Sequence, residues 1–167
     1  MIQDIQDLAA TTLANCAAFQ TFVGAADAAA AANSIYQDAL PPPAADKYTL
    51  AELIDLRPYG LVYTLDDSTG FRFTRVGTGV GCWDAQGVIV IRIERTTPDV
   101  EPAVADASLR TLMGDLVTQI ADQCEIAGRL AATSISAMGP HRIADEDVQE
   151  QGDLQWFDLH VRWGEQP

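Results

Sequence analysis

At 167 residues the chain has the length of one domain, and its 48% apolar content excludes a chain that is disordered throughout. A domain of this size buries roughly 70% of its unfolded surface, so folding requires neither disulfides nor a metal. A formal charge of −14 excludes nonspecific wrapping of nucleic acid and docking on an anionic bilayer, since both need a Lys/Arg surface.

The chain opens with Ile2, Ile5, Leu8 or Ala9, Leu13, Cys16 and Phe19 at helical spacing, which predicts a helix over 2–20. Asp4 and Asp7 complement its dipole. Beyond Gly24, Asp27 is placed to cap a second helix over 28–40, anchored by Ile35, Tyr36 and Leu40 and ended by Pro41, Pro42 and Pro43. Residues 44–58 are the most loop-like part. Within them Thr49 and Glu52 match a capping box for a short helical turn over 49–56.

Strands follow. Residues 59–65 alternate, 66–70 are a turn cluster, and 71–76 return as a second strand. Gly77, Gly79 and Gly81 mark a bend or bulge, and 84–87 read as another turn. A third strand over 88–95 puts Ile89, Ile91 and Ile93 on one face and Val88, Val90, Arg92 and Glu94 on the other. Pro98 and Pro102 lead into a long helix. Its stripe of Val104, Leu109, Leu112, Met113, Leu116, Val117, Ile120, Cys124 and Ala127 ends at Gly128. Residues 132–143 predict a strand broken around Gly139-Pro140, and 145–153 an acidic turn. A last strand over 154–163 points Phe157, Leu159, Val161 and Trp163 one way and Trp156, Asp158, His160 and Arg162 the other. The order predicts a single α+β domain over 1–167. It has a helical region over 1–43, then a mainly antiparallel sheet of four to five strands under the long helix.

The chemistry-bearing residues do not converge. His160 lies between Asp158 and Arg162, a pattern of strand charge pairs rather than metal ligands. In the glycine run at 77–81 the third glycine comes one residue too early for a dinucleotide fingerprint, and another strand follows it. The acidic clusters Asp66-Asp67 and Asp145-Glu146-Asp147 lack calcium-loop spacing. Thr133, Ser134 and Ser136 sit in no nucleophile elbow. Cys16, Cys82 and Cys124 have no metal or redox spacing and fit a reducing compartment. No apolar run reaches the roughly 20 residues that span a bilayer, and the start lacks a basic signal-peptide region. The expectation is no enzyme, no catalytic residue, no cofactor, no metal and no membrane partner, with synthesis in the cytoplasm. The polar strand face, with Trp156, Val88 and Val90 on it, is either covered by the N-terminal helices or serves as a subunit interface.

Several segments together carry a resemblance: Phe19-Gln-Thr-Phe-Val-Gly24, the alanines 28–32 with Ile35-Tyr36, Arg57-Pro58, Gly87-Val-Ile-Val-Ile-Arg-Ile-Glu94, and Trp156-Phe-Asp-Leu-His-Val-Arg-Trp163. In element order the chain resembles neck and tail-assembly proteins of long-tailed bacteriophages, and in architecture their tail terminators. That resemblance implies a non-enzymatic virion protein of the tail or neck, present in the host cytoplasm during assembly. It implies a homo-oligomer, a hexameric ring on the tail tube protein that joins a head-tail connector or head-closure protein. DNA would pass through its lumen without specific binding. The interface residues expected on this basis are Arg72, Arg75, Val88, Val90, Arg92, Trp156 and Arg162, with Arg95 as a further candidate. A head-closure or minor tail role, a monomeric assembly factor, and a cytosolic ligand-binding module or small enzyme are the alternatives.

Overall fold

The computed structural model describes residues 2–64, 72–75, 83–123, 125–126, 130–143 and 154–165. The fold is α+β, as the sequence pattern predicts. Among the described residues the strands are β1 (Ile35–Gln37), β2 (Tyr59–Thr64), β3 (Arg72–Arg75), β4 (Trp83–Thr96), β5 (Glu125–Ile126), β6 (Leu130–Ile143) and β7 (Leu154–Glu165). They form one seven-stranded sheet in the order β1-β2-β4-β7-β6-β5, with β3 also paired to β4. All pairings are antiparallel except β1 with β2. The sheet is wider than expected because the short strands β1 and β5 join it.

The helices are α1 (Ile2–Asn15), α2 (Ala17–Val23), α3 (Ala28–Ala32), α4 (Leu50–Leu56) and α5 (Pro102–Gln123). The isoleucine face is the core face. Ile89, Ile91 and Ile93 pack with Val62, Phe157, Leu159, Val161 and Trp163 against Leu13, Cys16, Phe19, Leu109, Leu116 and Ile120. Each of the larger side chains contributes about 1.5–3 kcal/mol on leaving water.

Four expectations are corrected. The first helix does not run through 2–20, because Cys16 is extended (φ −72, ψ 118) and divides α1 from α2. Leu13 and Phe19 would point about 120° apart on one continuous helix. The break brings both over Gly60, where an added Cβ would lie 2.7 Å from Leu13 Cδ2 and 3.3 Å from the Phe19 ring. The second helix stops at Ala32, and residues 35–37 become β1. Alanines favour a helix but have little surface to bury, whereas Ile35 and Tyr36 gain a ladder along Gly60 and Leu61. The turn expected over 84–87 is instead strand. There β3 pairs with 84–86 and β7 with 86–87, and these ladders outweigh a local turn preference. The long helix ends at Gln123, followed by β5. The expected break near Gly139-Pro140 is a register shift within β6, between Met138 and His141, with Gly139 at φ +126. The turn at 66–70, the glycine run at 77–81, Cys82, Cys124, Ala127, Gly128 and the acidic segment 145–153 lie outside the described residues.

The short helix α4 forms as the capping box predicts. The Thr49 hydroxyl accepts from the Glu52 backbone N–H at 3.3 Å, and Glu52 accepts from the Thr49 N–H at 2.7 Å.

Candidate functional site

The second face of the sheet, opposite the isoleucines, is the candidate interaction surface. Register puts Tyr59, Leu61 and Tyr63 of β2 beside Glu94, Arg92 and Val90 of β4. These in turn stand beside Trp156, Asp158 and His160 of β7. In β6 the row continues with His141, Met138 and Ser136.

Arg92 is the centre of this face. Its Nε and Nη2 donate to the two carboxylate oxygens of Asp158 at 2.8 and 2.9 Å, a two-pronged pair that fixes the guanidinium. The guanidinium carbon lies 5.8 Å from the Trp156 ring centroid. The bond to Asp158 holds Arg92 well above its ordinary pKa, against the opposing effect of burial. The His141 ring packs on Trp156 from β6 at 5.3 Å.

One end of the face is built differently. Arg57, at the end of α4, donates from Nε to Glu94 at 2.9 Å, and the two side chains are only 3% and 10% exposed. Tyr59 lies against Glu94, and its ring meets Tyr36 edge-on at 5.6 Å. Burial first, then the charge and hydrogen bond of Glu94, raise the Tyr59 phenol far above its ordinary value. Above this group a cleft of about 420 Å³ is lined by Lys47, Tyr48, Leu53, Arg92, Ile143 and Trp156, among others. The Tyr48 hydroxyl is buried without a hydrogen-bond partner among the described residues.

The residues expected at an interface are thus divided. Arg92 and Trp156 are brought together, half-buried, and Arg162 is exposed on the same face. Val88 and Val90 share the face but are 7% and 0% exposed, so a neighbour finds almost nothing of them to touch. Val90 is enclosed because it stands in the middle of the sheet, between Tyr63 and His160. Arg72 and Arg75 stand in β3 opposite Gln86 and Trp83, and their side chains lie outside what is described. Arg95 does not share this face. It points to the helix side, where it donates to Gln155 at 3.0 Å, to the Ala105 carbonyl at 2.8 Å and to Ser108 at 2.9 Å. The fully buried Gln155 donates in turn to Asp106 at 2.7 Å, which pins the start of α5 to the sheet. Burial lowers the Arg95 pKa, and Asp106 opposes that shift.

The Arg57–Glu94–Tyr59 group and the Arg95–Gln155–Asp106 chain escape a reading of sequence alone. Alternation places Glu94 on the second face, but nothing in spacing pairs it with Arg57. Among the described residues no group of His, Cys, Asp and Glu could hold a metal ion, and no helix is long and apolar enough to cross a membrane.

No family model and no curated protein matches the sequence. Among solved structures, a chain whose name states no function is similar at 12% identity, with a TM-score of 0.41 over 80% of this chain and 79% of that one. A similarity of that strength leaves the functional reading to the residues themselves.

Proposed function

We propose that the chain is a structural protein of a phage virion, a tail terminator that forms a ring on the tail tube and joins it to the neck. The observation that carries this reading is the unequal cover of the two sheet faces among the described residues, the second face being covered at one end by the α4 region. Helices α1, α2 and α5 cover the isoleucine face, while the second face keeps Trp156 half-buried and Met138, His141 and Arg162 exposed. Aromatic, Met and Arg side chains are the types that protein interfaces enrich. Arg92 is already held by Asp158, so it has less freedom to lose when a partner docks. The partners in this reading are further copies of the chain, the tail tube protein and a head-tail connector or head-closure protein. The acidic balance suits a lumen through which DNA slides without sticking.

Deletion of the gene from a phage that carries it tests the role. The expected result is tails of uncontrolled length that fail to join heads. Tails of normal length would refute termination.

One observation favours a second reading, a ligand-binding module: the cleft with its buried Tyr48 hydroxyl, which has no hydrogen-bond partner among the described residues. A small-molecule thermal shift that is abolished by Tyr48→Phe and Trp156→Ala would establish it. No such shift across a metabolite panel would remove it.

A further inference from the structure

Among the described residues, strand β6 has a bare edge. It pairs with β7 along its length, but with β5 only at Leu130 and Ala131. Among the described residues no strand pairs with its far side over 134–143. Ser134, Ser136, Ala137, Met138 and Gly139 are all exposed, although alternate residues point to opposite faces. Exposure on both faces at once is what an uncovered edge produces.

An unpaired edge offers a row of backbone donors and acceptors to another strand. Proteins usually block such edges with charge, proline or bulges. Here the blocks stand only at the ends, as register shifts between Ala132 and Ser134 and between Met138 and His141. Residues 134–138 between them are regular strand. No charged residue occurs anywhere in 130–140, in a chain of net charge −14.

We propose that residues 134–138 pair antiparallel with the same residues of a second copy, about a two-fold axis at Ser136. Charge selects this occupant. Copies of a strongly acidic chain repel, so a contact between them is favoured where the facing rows carry no like charges. In the two-fold register Ser134 faces Met138, Ile135 faces Ala137 and Ser136 faces itself. None of these is charged. Two-fold contacts use the same patch on both partners, as a self-complementary strand does. A two-fold seam closes on itself and does not propagate around a ring. It therefore describes the protein before it reaches the tail, and it stands or falls independently of the terminator role.

Sedimentation of the full chain over a concentration series tests the seam, with S136K, S136E and their equimolar mixture. The wild-type mass rises from one copy toward two with concentration. Each variant associates about five-fold more weakly, since like charges then stand directly opposite across the seam. The mixture recovers association by pairing Lys with Glu. Ser136 is exposed, so the thermal midpoints stay unchanged and folding is not in question. S136K also makes the chain less acidic, so a contact limited only by overall repulsion would tighten, and that result overturns the proposal. Amide exchange gives a second readout. Protection of residues 134–138 grows with concentration, whereas constant exchange there, or a single-copy mass at every concentration, overturns the seam.

Discussion

Removing Arg57 alone leaves the Glu94 carboxylate in a place built for an ion pair. Glu94 is 10% exposed and loses a guanidinium at 2.9 Å, with Tyr59 beside it. Breaking a buried pair from one side costs about 3–5 kcal/mol, because the remaining charge loses its ion-pair partner while staying largely cut off from water. That is a large share of the 5–15 kcal/mol typical of whole domains. For a chain of this size it lowers Tm by roughly 6–20 °C. The paired change Arg57→Met with Glu94→Leu removes both charges and is expected to cost far less than either single change. Urea denaturation of wild type, the two single variants and the double variant gives the coupling directly. The reasoning is refuted if Arg57→Met costs under about 1 kcal/mol, the value of an exposed pair. It is equally refuted if the double variant is as unstable as the sum of the single ones.

Gly60→Ala puts a methyl 2.7 Å from Leu13 Cδ2 and 3.3 Å from the Phe19 ring, so denaturation should show a loss of about 1–3 kcal/mol from overpacking. Leu116→Ala empties a fully buried core position and should cost about 2–5 kcal/mol in the same assay; a loss under about 1 kcal/mol would mean that α5 is loosely seated. Thr49→Ala removes the α4 capping box and should cost about 0.5–2 kcal/mol. The backbone N–H and hydroxyl of Thr49 hold the Glu52 carboxyl below its ordinary value. Its contribution is therefore present above the ordinary Glu range and lost as pH falls through the folded value, so the stability gap between wild type and Glu52→Gln should narrow in acid. Tyr59 has the opposite sign. Its phenol is raised in the fold, so its contribution is full below the ordinary value of 10.0 and declines as pH rises beyond it. Melting curves across that range should fall less steeply for Tyr59→Phe.

Strongly periodic elements were legible from sequence, while those decided by a distant partner were not. Ile89, Ile91 and Ile93 alternate, α5 repeats every three to four residues, and Thr49 with Glu52 forms a local cap. Each needs only its neighbours to be recognised. The break at Cys16 exists because Leu13 and Phe19 both pack over Gly60, which is far along the chain. Residues 35–37 leave a helical pattern because β2 offers them a ladder. The candidate face was half legible. Alternation grouped Arg92 with Glu94, and Trp156 with Asp158 and Arg162. It also put Val88 and Val90 there, since spacing assigns a face but not the width of the sheet that encloses a central position. The Arg57–Glu94 pair spans 37 residues and leaves no local mark.

Imaging of intact particles with subunit averaging at the head-proximal end of the tail tests the terminator role at its place of action. A closed ring of this chain is expected at that position, with Arg92, Trp156 and Arg162 covered by protein neighbours. Absence of the chain from the particle, or its presence there as single copies with that face open to solvent, would contradict it.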